Sequence, residues 1–252
     1  MRAWCYGLTV SGALRSRFSS MRITRGALIV AGLELGLSLV FLVLEPQDQQ
    51  QIAPWLLATP ETVFEQAHVW TLATSVFIQL RFLQLILHML ILWWFVPALE
   101  RFWGTPRFYR FFAITSLAGT LAGCLAGLAL GGGYLRTPIS GLDPFMDASI
   151  VAFGIVYARQ PVQFFGVLPL TGRQLMYGIL GFVALSVLLQ QHWSDAASYA
   201  AAMLAAAVMT SKRLSPSLAW KRWRIARARA RLTVMSGGKS RTPPRDEHKW
   251  LN

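Results

Sequence analysis

Six long apolar segments run along the chain, separated by stretches in which polar and charged residues collect. The segments are 26–44, 82–99, 108–130, 144–159, 174–190 and 195–211. A bilayer core of about 30 Å requires about 20 predominantly apolar residues in a helix, and fewer where neighbouring helices shield it. The fourth and sixth segments are short and carry polar residues, which is typical of helices enclosed by others. The pattern predicts an all-α membrane protein with six transmembrane helices.

The stretch between the first two segments, residues 45–81, is unusually long for a loop. It contains the amphipathic run PWLLATPETVFEQAHVWTLATSVF. Loops of this length without secondary structure are uncommon in compact domains. We therefore expect helices that lie at the membrane surface, with Trp55 and Trp70 as aromatic anchors at the interface.

The basic residues predict how the chain is oriented in the membrane. If the N-terminus is cytoplasmic, all but two of the 24 lysines and arginines, Arg81 and Arg136, fall on the cytoplasmic side. An excess of lysine and arginine marks cytoplasmic loops. The asymmetry favours six spans with both termini in the cytoplasm, and hence a multi-pass integral membrane protein.

The composition agrees with this interpretation. Hydrophobic residues make up 54% of the chain and charged residues only 14%, and the mean hydropathy is +0.44. Soluble domains carry about 25% charged residues. The formal net charge of +13 is concentrated toward the C-terminus, and no nucleic-acid-binding fold accompanies it, so we expect no nucleic acid among the partners.

We divide the chain into a basic cytoplasmic N-terminal extension, 1–25, a membrane domain, 26–212, and a basic, partly disordered cytoplasmic tail, 213–252. The N-terminal run MRAWCYGLTVSGAL could be a signal peptide, but its apolar part is short and arginines follow it in place of a cleavage site. We therefore expect either an uncleaved cytoplasmic extension or a true start at Met21. The tail is expected to contact anionic lipid, which contributes ~1 kcal/mol per basic residue near the surface.

The two cysteines, Cys5 and Cys124, belong to no CxxC or Cys/His spacing. The sequence therefore supports neither a metal site nor a disulfide framework. We expect Cys124 to be a small buried apolar residue, and no motif indicates a cofactor.

A series of spaced residues surrounds the second apolar segment. In order, they are Trp70, Thr74, Ser75, Phe77, Trp93, Phe95, Leu99, Glu100, Arg101, Trp103 and Gly104. This series resembles the second-helix region of the rhomboid family of intramembrane serine proteases, and the glycine-rich third segment and the AFGIVYA run of the fourth also fit. The resemblance covers about residues 26–212 and implies a six-helix rhomboid-like bundle with a long first outer loop, 45–81.

The resemblance also implies a catalytic serine in the fourth helix, within Gly-x-Ser-Gly, and a histidine base in the sixth. In this chain Ser149 occupies the nucleophile position, but Asp147 and Ile150 replace the flanking glycines, and Ser198 occupies the position of the base. A serine hydroxyl without a base in reach is not activated as a nucleophile. The resemblance therefore implies a pseudoprotease, in which these positions are degenerate.

In the second helix the family carries a histidine and an asparagine, four residues apart, that stabilise the oxyanion. The corresponding residues are Gln84 and His88, which share a helix face because they are four apart. Two interpretations of His88 are open. It could be the base of a relocated Ser149–His88 dyad, with Gln84 as an oxyanion donor, or a hydrogen-bonded structural residue. Glu34, alone in the first segment, is expected to pair with a polar group of the bundle.

Small residues in the sixth segment permit close helix packing, and the rhomboid resemblance implies that the sixth helix packs on the fourth through them. Ala197, Ala201 and Ala205 are spaced four apart and form a stripe that permits close approach of another helix. Gly154 adds a small residue in the fourth segment.

Two functions follow from these expectations. The first is a catalytically inactive rhomboid-like membrane protein that binds the transmembrane segments of client membrane proteins. The alternative is an atypical intramembrane serine endopeptidase that uses Ser149, with His88 as its base. The expected partners are the lipid bilayer and transmembrane helices of other proteins.

Overall fold

The computed structural model describes residues 23–164, 168–211, 224 and 227. The chain divides into two compact units, Met1–Ser215 and Pro216–Asn252, and the elements below all belong to the first. In the second unit Arg224 and Arg227 are described, and both are helical. The predicted N-terminal extension, the alternative start at Met21 and the predicted disorder of the tail lie outside the described residues.

Helices account for nearly all of the regular structure in the described part of the first unit. The α-helices are α1 (Arg25–Val43), α2 (Pro46–Leu56), α3 (Thr71–Thr74), α4 (Phe82–Trp94), α5 (Val96–Trp103), α6 (Thr105–Leu130), α7 (Asp143–Val156), α8 (Gly172–Gln190) and α9 (Trp193–Thr210). The predicted all-α class is confirmed, with one small exception described below.

Among the described residues, four helical stretches are long and apolar enough to cross a membrane. They are α1, the joined α4 and α5 (Phe82–Trp103), α6 and α8. The predicted fourth and sixth spans correspond to α7 and α9, which are helical but do not belong to this group of four. The count of six crossings therefore stays a prediction.

Helix α7 is short because it lies inside the bundle. Its 14 residues extend for about 21 Å, and ten of them are buried; the other four, Asp143, Asp147, Ile155 and Val156, are partly buried. Aromatic rings surround its first turn, where Phe145 meets Phe112 of α6 edge-on at 5.0 Å and Phe111 at 6.1 Å. Enclosure by other helices, predicted from the polar residues of this segment, is confirmed.

Among the described helices, the most extensive contact joins α6 to α9. A Cβ atom added at Gly119 would lie 3.3 Å from the Cβ of Ala202, and one added at Gly123 would lie 3.1 Å from the Cβ of Ser198. Small residues let two helix backbones approach in this way. The fully buried stripe of α9 is Ser194, Ser198, Ala202 and Ala206.

The small residues singled out from the sequence lie beside this contact. Ala197, Ala201 and Ala205 are half-buried, one position before the fully buried stripe. Gly154 packs against α8, because a Cβ there would lie 2.5 Å from the Cβ of Met176.

The second apolar segment is not one continuous helix, as 82–99 had been expected to be. It breaks at Phe95 and continues to Trp103. Pro97 is the physical reason, because proline has no N–H to donate and its ring clashes with the carbonyl of the preceding turn. Gly104, at φ +80°, ends the second piece in a conformation that favours glycine.

An antiparallel hairpin, which the sequence analysis did not anticipate, connects α7 to α8. Strand β1 (Pro161–Phe164) pairs with β2 (Leu168–Thr171), with Pro161 opposite Thr171 and Phe164 opposite Leu168. In the run VQFFGVLPL, Val162, Phe164 and Phe165 precede a glycine and Val167 follows it, and β-branched and aromatic residues on either side of a glycine are a hairpin signal.

The long segment 45–81 is helical over much of its length, as expected. Besides α2 and α3 it contains a π-helix, Glu61–Glu65, and a 3₁₀-helix, Ser75–Phe77. Trp55, His68 and Trp70 stack on one another, with ring centroids 4.6 to 6.2 Å apart. Trp55 and Trp70 are about half exposed, and their insertion into a membrane interface stays a prediction.

Candidate functional site

A buried polar network centred on His88 connects three helices. His88 is 3% exposed, and its Nδ1 lies 2.6 Å from Oε1 of Glu34 in α1. Its Nε2 lies 3.0 Å from Oδ1 of Asp143, the first residue of α7. The imidazole of α4 therefore joins α1 to α7 through two carboxyl groups.

Two glutamines also donate hydrogen bonds to Asp143. The Nε2 of Gln84 donates to Oδ1 of Asp143, and the Nε2 of Gln79 donates to Oδ2 over 3.3 Å. Gln84 and His88 thus reach the same residue, as their spacing of four along α4 predicts.

Ser38 extends the network along α1, one turn beyond Glu34. Its Oγ donates to the carbonyl oxygen of Phe77 over 3.1 Å and accepts from the backbone N–H of Gln79 over 2.8 Å. Glu34 and Ser38 are both fully buried. The polar face of α1 is therefore turned toward the segment that leads into α4.

The hydrogen bonds of His88 fix the number of protons in the network. Each of the two N···O contacts needs one proton, whereas a neutral imidazole has one donor nitrogen and one acceptor nitrogen. Either His88 is an imidazolium, or one of the two carboxyl groups is protonated. In both cases neither ring nitrogen is left to accept a proton from a further group.

Other charged groups lie around Asp143. Asp147 of α7 and Asp195 of α9 interact with it electrostatically, and so does the phenol of Tyr199. Arg81, which precedes α4 and is exposed, acts on Asp195 and Tyr199. The starts of α4, α7 and α9 therefore meet in one polar region.

The two serines that the rhomboid resemblance aligns with catalytic positions, Ser149 and Ser198, are buried. Ser149 is 0% exposed and Ser198 is 1% exposed. Within the described part of the chain, neither Oγ has a hydrogen-bond partner. Ser198 contacts α6 at Gly123, as described above. The structure thus brings Gln84 and His88 together at Asp143, and it hydrogen-bonds neither residue to Ser149.

Sequence reasoning singled out Glu34 and His88 but missed Asp143. Glu34 and His88 are the lone ionisable residues of the first two apolar segments, and pairing of such residues inside a membrane is expected. Asp143 falls one residue before the fourth apolar segment, so hydropathy assigned it to a loop. The proline that follows it, at the first turn of α7, is the signal that would have placed it in the helix.

A second carboxylate, Glu100 of α5, holds the start of α1. It accepts hydrogen bonds from the backbone N–H groups of Gly26, over 3.0 Å, and Ala27, over 2.9 Å. The hydroxyls of Thr24 and Thr105 also donate to it, the latter over 2.8 Å. The first N–H groups of a helix have no partner inside the helix, so Glu100 provides an N-terminal cap from another element.

These observations define the class of the protein as an integral membrane protein built from apolar helices around a buried polar network. Residues 27–211 match the sequence model of the family described as eukaryotic integral membrane protein (DUF1751). The chain belongs to this family, which is rhomboid-like. No curated protein matches the chain.

Proposed function

We propose that this rhomboid-like membrane protein binds the transmembrane segments of other membrane proteins and does not cleave them. The observation that carries the proposal is the exposure of α8, a helix of membrane-spanning length. Of its 19 residues only Gly172 and Leu175, both near its start, are buried.

Helix α8 is attached to the bundle mainly through its first two turns. A Cβ added at Gly172 would lie 2.5 Å from the carbonyl oxygen of Tyr157, and Met176 packs closely on Gly154. Farther along, Phe182 is 69% exposed and Leu189 is 75% exposed. In a bilayer, helices associate through packing and hydrogen bonds because lipid and leucine are equally apolar. A client helix therefore finds on α8 an apolar face of its own length.

The hydrogen bonding supports the absence of cleavage. A serine protease needs a base whose free nitrogen lies within hydrogen-bonding distance of the serine. Both nitrogens of His88 face carboxyl groups, those of Glu34 and Asp143, and Ser149 is buried. Ser198, at the position of the family's base, has no group that accepts a proton from a nucleophile at neutral pH.

We further propose that α7 and α9 cross the membrane along with the four longer helical stretches, with both termini cytoplasmic. The enclosure of α7 supports this, since a short helix that its neighbours surround does not need to match the full bilayer thickness. The distribution of basic residues supports the orientation.

Client binding is tested by placing a photoactivatable amino acid at Phe182 of α8, and separately at Leu125 of α6 as the matched control. Leu125 is 48% exposed and equally apolar in its surroundings. We expect adducts with single-span membrane proteins at Phe182 and few at Leu125. Equal adducts at the two positions, or none at Phe182, would overturn the proposal.

Absence of cleavage is tested by labelling membranes with a fluorophosphonate probe, with Ser149→Ala as the control. We expect the same labelling of both proteins. Labelling that disappears in Ser149→Ala would establish the alternative, an atypical intramembrane serine endopeptidase that uses Ser149.

A further inference from the structure

A cavity of about 560 Å³ lies at the end of the bundle where several helices terminate. Helix α5 ends and α6 begins there, and α7 and α9 both end there. The residues that line it and carry the argument are Phe102, Trp103, Arg107, Ile155, Val156 and Thr210. The cavity is distinct from the His88 network, which lies at the starts of α4 and α7.

The lining combines two kinds of surface. Phe102 and Trp103 of α5 and Ile155 and Val156 of α7 provide an apolar wall. Arg107, in the first turn of α6, provides a guanidinium group that stays charged at any physiological pH. Among the described residues, no carboxyl group forms an ion pair with it.

Thr210 forms part of the wall at the same end of the bundle. Its Oγ1 is buried, and within the described part of the chain no group hydrogen-bonds to it. Because the hydroxyl is buried, Thr210 offers no hydrogen bond to a ligand in the cavity, and Arg107 is the polar group that faces one.

The position of the cavity indicates its depth in the membrane. Phe102 and Trp103 are the last two residues of α5, and Arg107 follows the start of α6 by two residues. Because the ends of spanning helices lie at the boundary between hydrocarbon and headgroups, the cavity lies at headgroup depth. Lipid headgroups and the upper parts of acyl chains are the molecules present there.

We propose that the cavity binds a phospholipid with an acidic headgroup. The phosphate accepts hydrogen bonds from Arg107, and the start of an acyl chain lies along Phe102, Trp103 and Val156. A soluble anion would leave the apolar wall bare, and a neutral hydrophobic molecule would leave the guanidinium without a counter-charge.

The helix ends provide little net attraction for an anion, so recognition of the phosphate depends on Arg107. The N-terminus of α6 favours an anion, whereas the C-termini of α7 and α9 present carbonyl oxygens that disfavour one. These contributions oppose each other, so the full charge of the guanidinium and its ability to form two parallel hydrogen bonds to phosphate carry the recognition.

The test is native mass spectrometry of the full-length protein in detergent, titrated with dioleoyl phosphatidic acid, dioleoyl phosphatidylcholine or inorganic phosphate. We expect one phosphatidic acid molecule to be retained, with at most weak retention of phosphatidylcholine and no competition by inorganic phosphate. Arg107→Gln should weaken retention about tenfold or more, because a charge-assisted pair is lost.

Arg110→Gln is the matched control, because Arg110 is exposed on the same helix and does not line the cavity. Retention should be unchanged in this variant. An equal loss of lipid retention in Arg107→Gln and Arg110→Gln would show that lipid is held by diffuse electrostatic attraction and not by this cavity. Competition by inorganic phosphate would show that the cavity binds anions in general. Absence of any retained lipid in the wild-type protein would also overturn the proposal. Client cross-linking at Phe182 does not depend on these outcomes.

Discussion

His88 holds together three parts of the chain that lie far apart in sequence, and it does so where water is excluded. Its partners, Glu34 and Asp143, are 54 and 55 residues away. Removal of one member of a buried ionic network leaves the others uncompensated, and that cost exceeds the net contribution of the intact network. His88 is therefore the residue on which the stability of the polar centre depends most.

Replacing His88 by alanine should destabilise the protein by about 3 kcal/mol or more, because Glu34 and Asp143 would then face each other without the donor between them. Glu34→Gln should cost less, about 1 kcal/mol, since the amide oxygen still accepts from Nδ1. Reversible unfolding in mixed micelles measures both.

The control for this series is His192→Ala. His192 lies on the connection between α8 and α9, with a side chain about half exposed, and surface substitutions usually stay within about 0.5 kcal/mol. If the free energy of unfolding falls no more in His88→Ala than in His192→Ala, the network does not stabilise the bundle.

Among the elements, the start of α1 depends on a residue of another helix. Glu100 of α5 accepts hydrogen bonds from two backbone groups of α1 and from Thr105 at the start of α6. One carboxylate thus sets the relative position of three helices. Gly26 is required beside it, because a Cβ there would lie 2.7 Å from both carboxylate oxygens.

Glu100→Gln should therefore destabilise the protein by about 2 kcal/mol, since the amide group presents N–H to backbone donors and the charge of the cap is lost. Gly26→Ala should be destabilising as well. Gly32→Ala, in the same helix with open space around it, should be neutral or slightly stabilising. The thermal unfolding temperatures of the three variants test this prediction. Equal shifts for Gly26→Ala and Gly32→Ala would contradict the role of Glu100 as a cap of α1.

The helices were largely predictable from the sequence, and the site only partly. Long apolar runs mark α1, α6 and α8 within a few residues, because hydropathy acts over the same length as a membrane-crossing helix. The break near Pro97 and the hairpin after α7 depend on the backbone preferences of single residues. A hydropathy pattern does not show these preferences, because it is an average over many residues. The part that Asp143 plays in the site could not be predicted, because it depends on a tertiary contact with His88 that no local sequence pattern shows.

For the whole molecule, the proposed six crossings place the hairpin between α7 and α8 on the cytoplasmic side. With only the four longer stretches crossing, the same hairpin would lie on the opposite side, together with the 45–81 segment. The two arrangements leave the tail on the same side, so the hairpin is the informative position.

A cysteine at Gln160, next to the hairpin, and one at Asp48 of α2 distinguish the two arrangements, since both residues are exposed. Cys5 and Cys124 are first replaced by alanine. With a membrane-impermeant maleimide confined to the cytoplasmic side, we expect Gln160→Cys to be labelled and Asp48→Cys to be protected. Protection of both would favour four crossings, and labelling of Asp48→Cys would contradict the orientation.

The contact between Gly123 and Ser198 has a consequence for which side chains position 198 accepts. An imidazole there would have to enter space that the closely packed α6 and α9 occupy. Replacing Ser198 by histidine alone would therefore push against α6, and the bundle would need compensating changes in both helices before it accepted the larger ring. The close packing thus couples the identity of residue 198 to the small residues of α6.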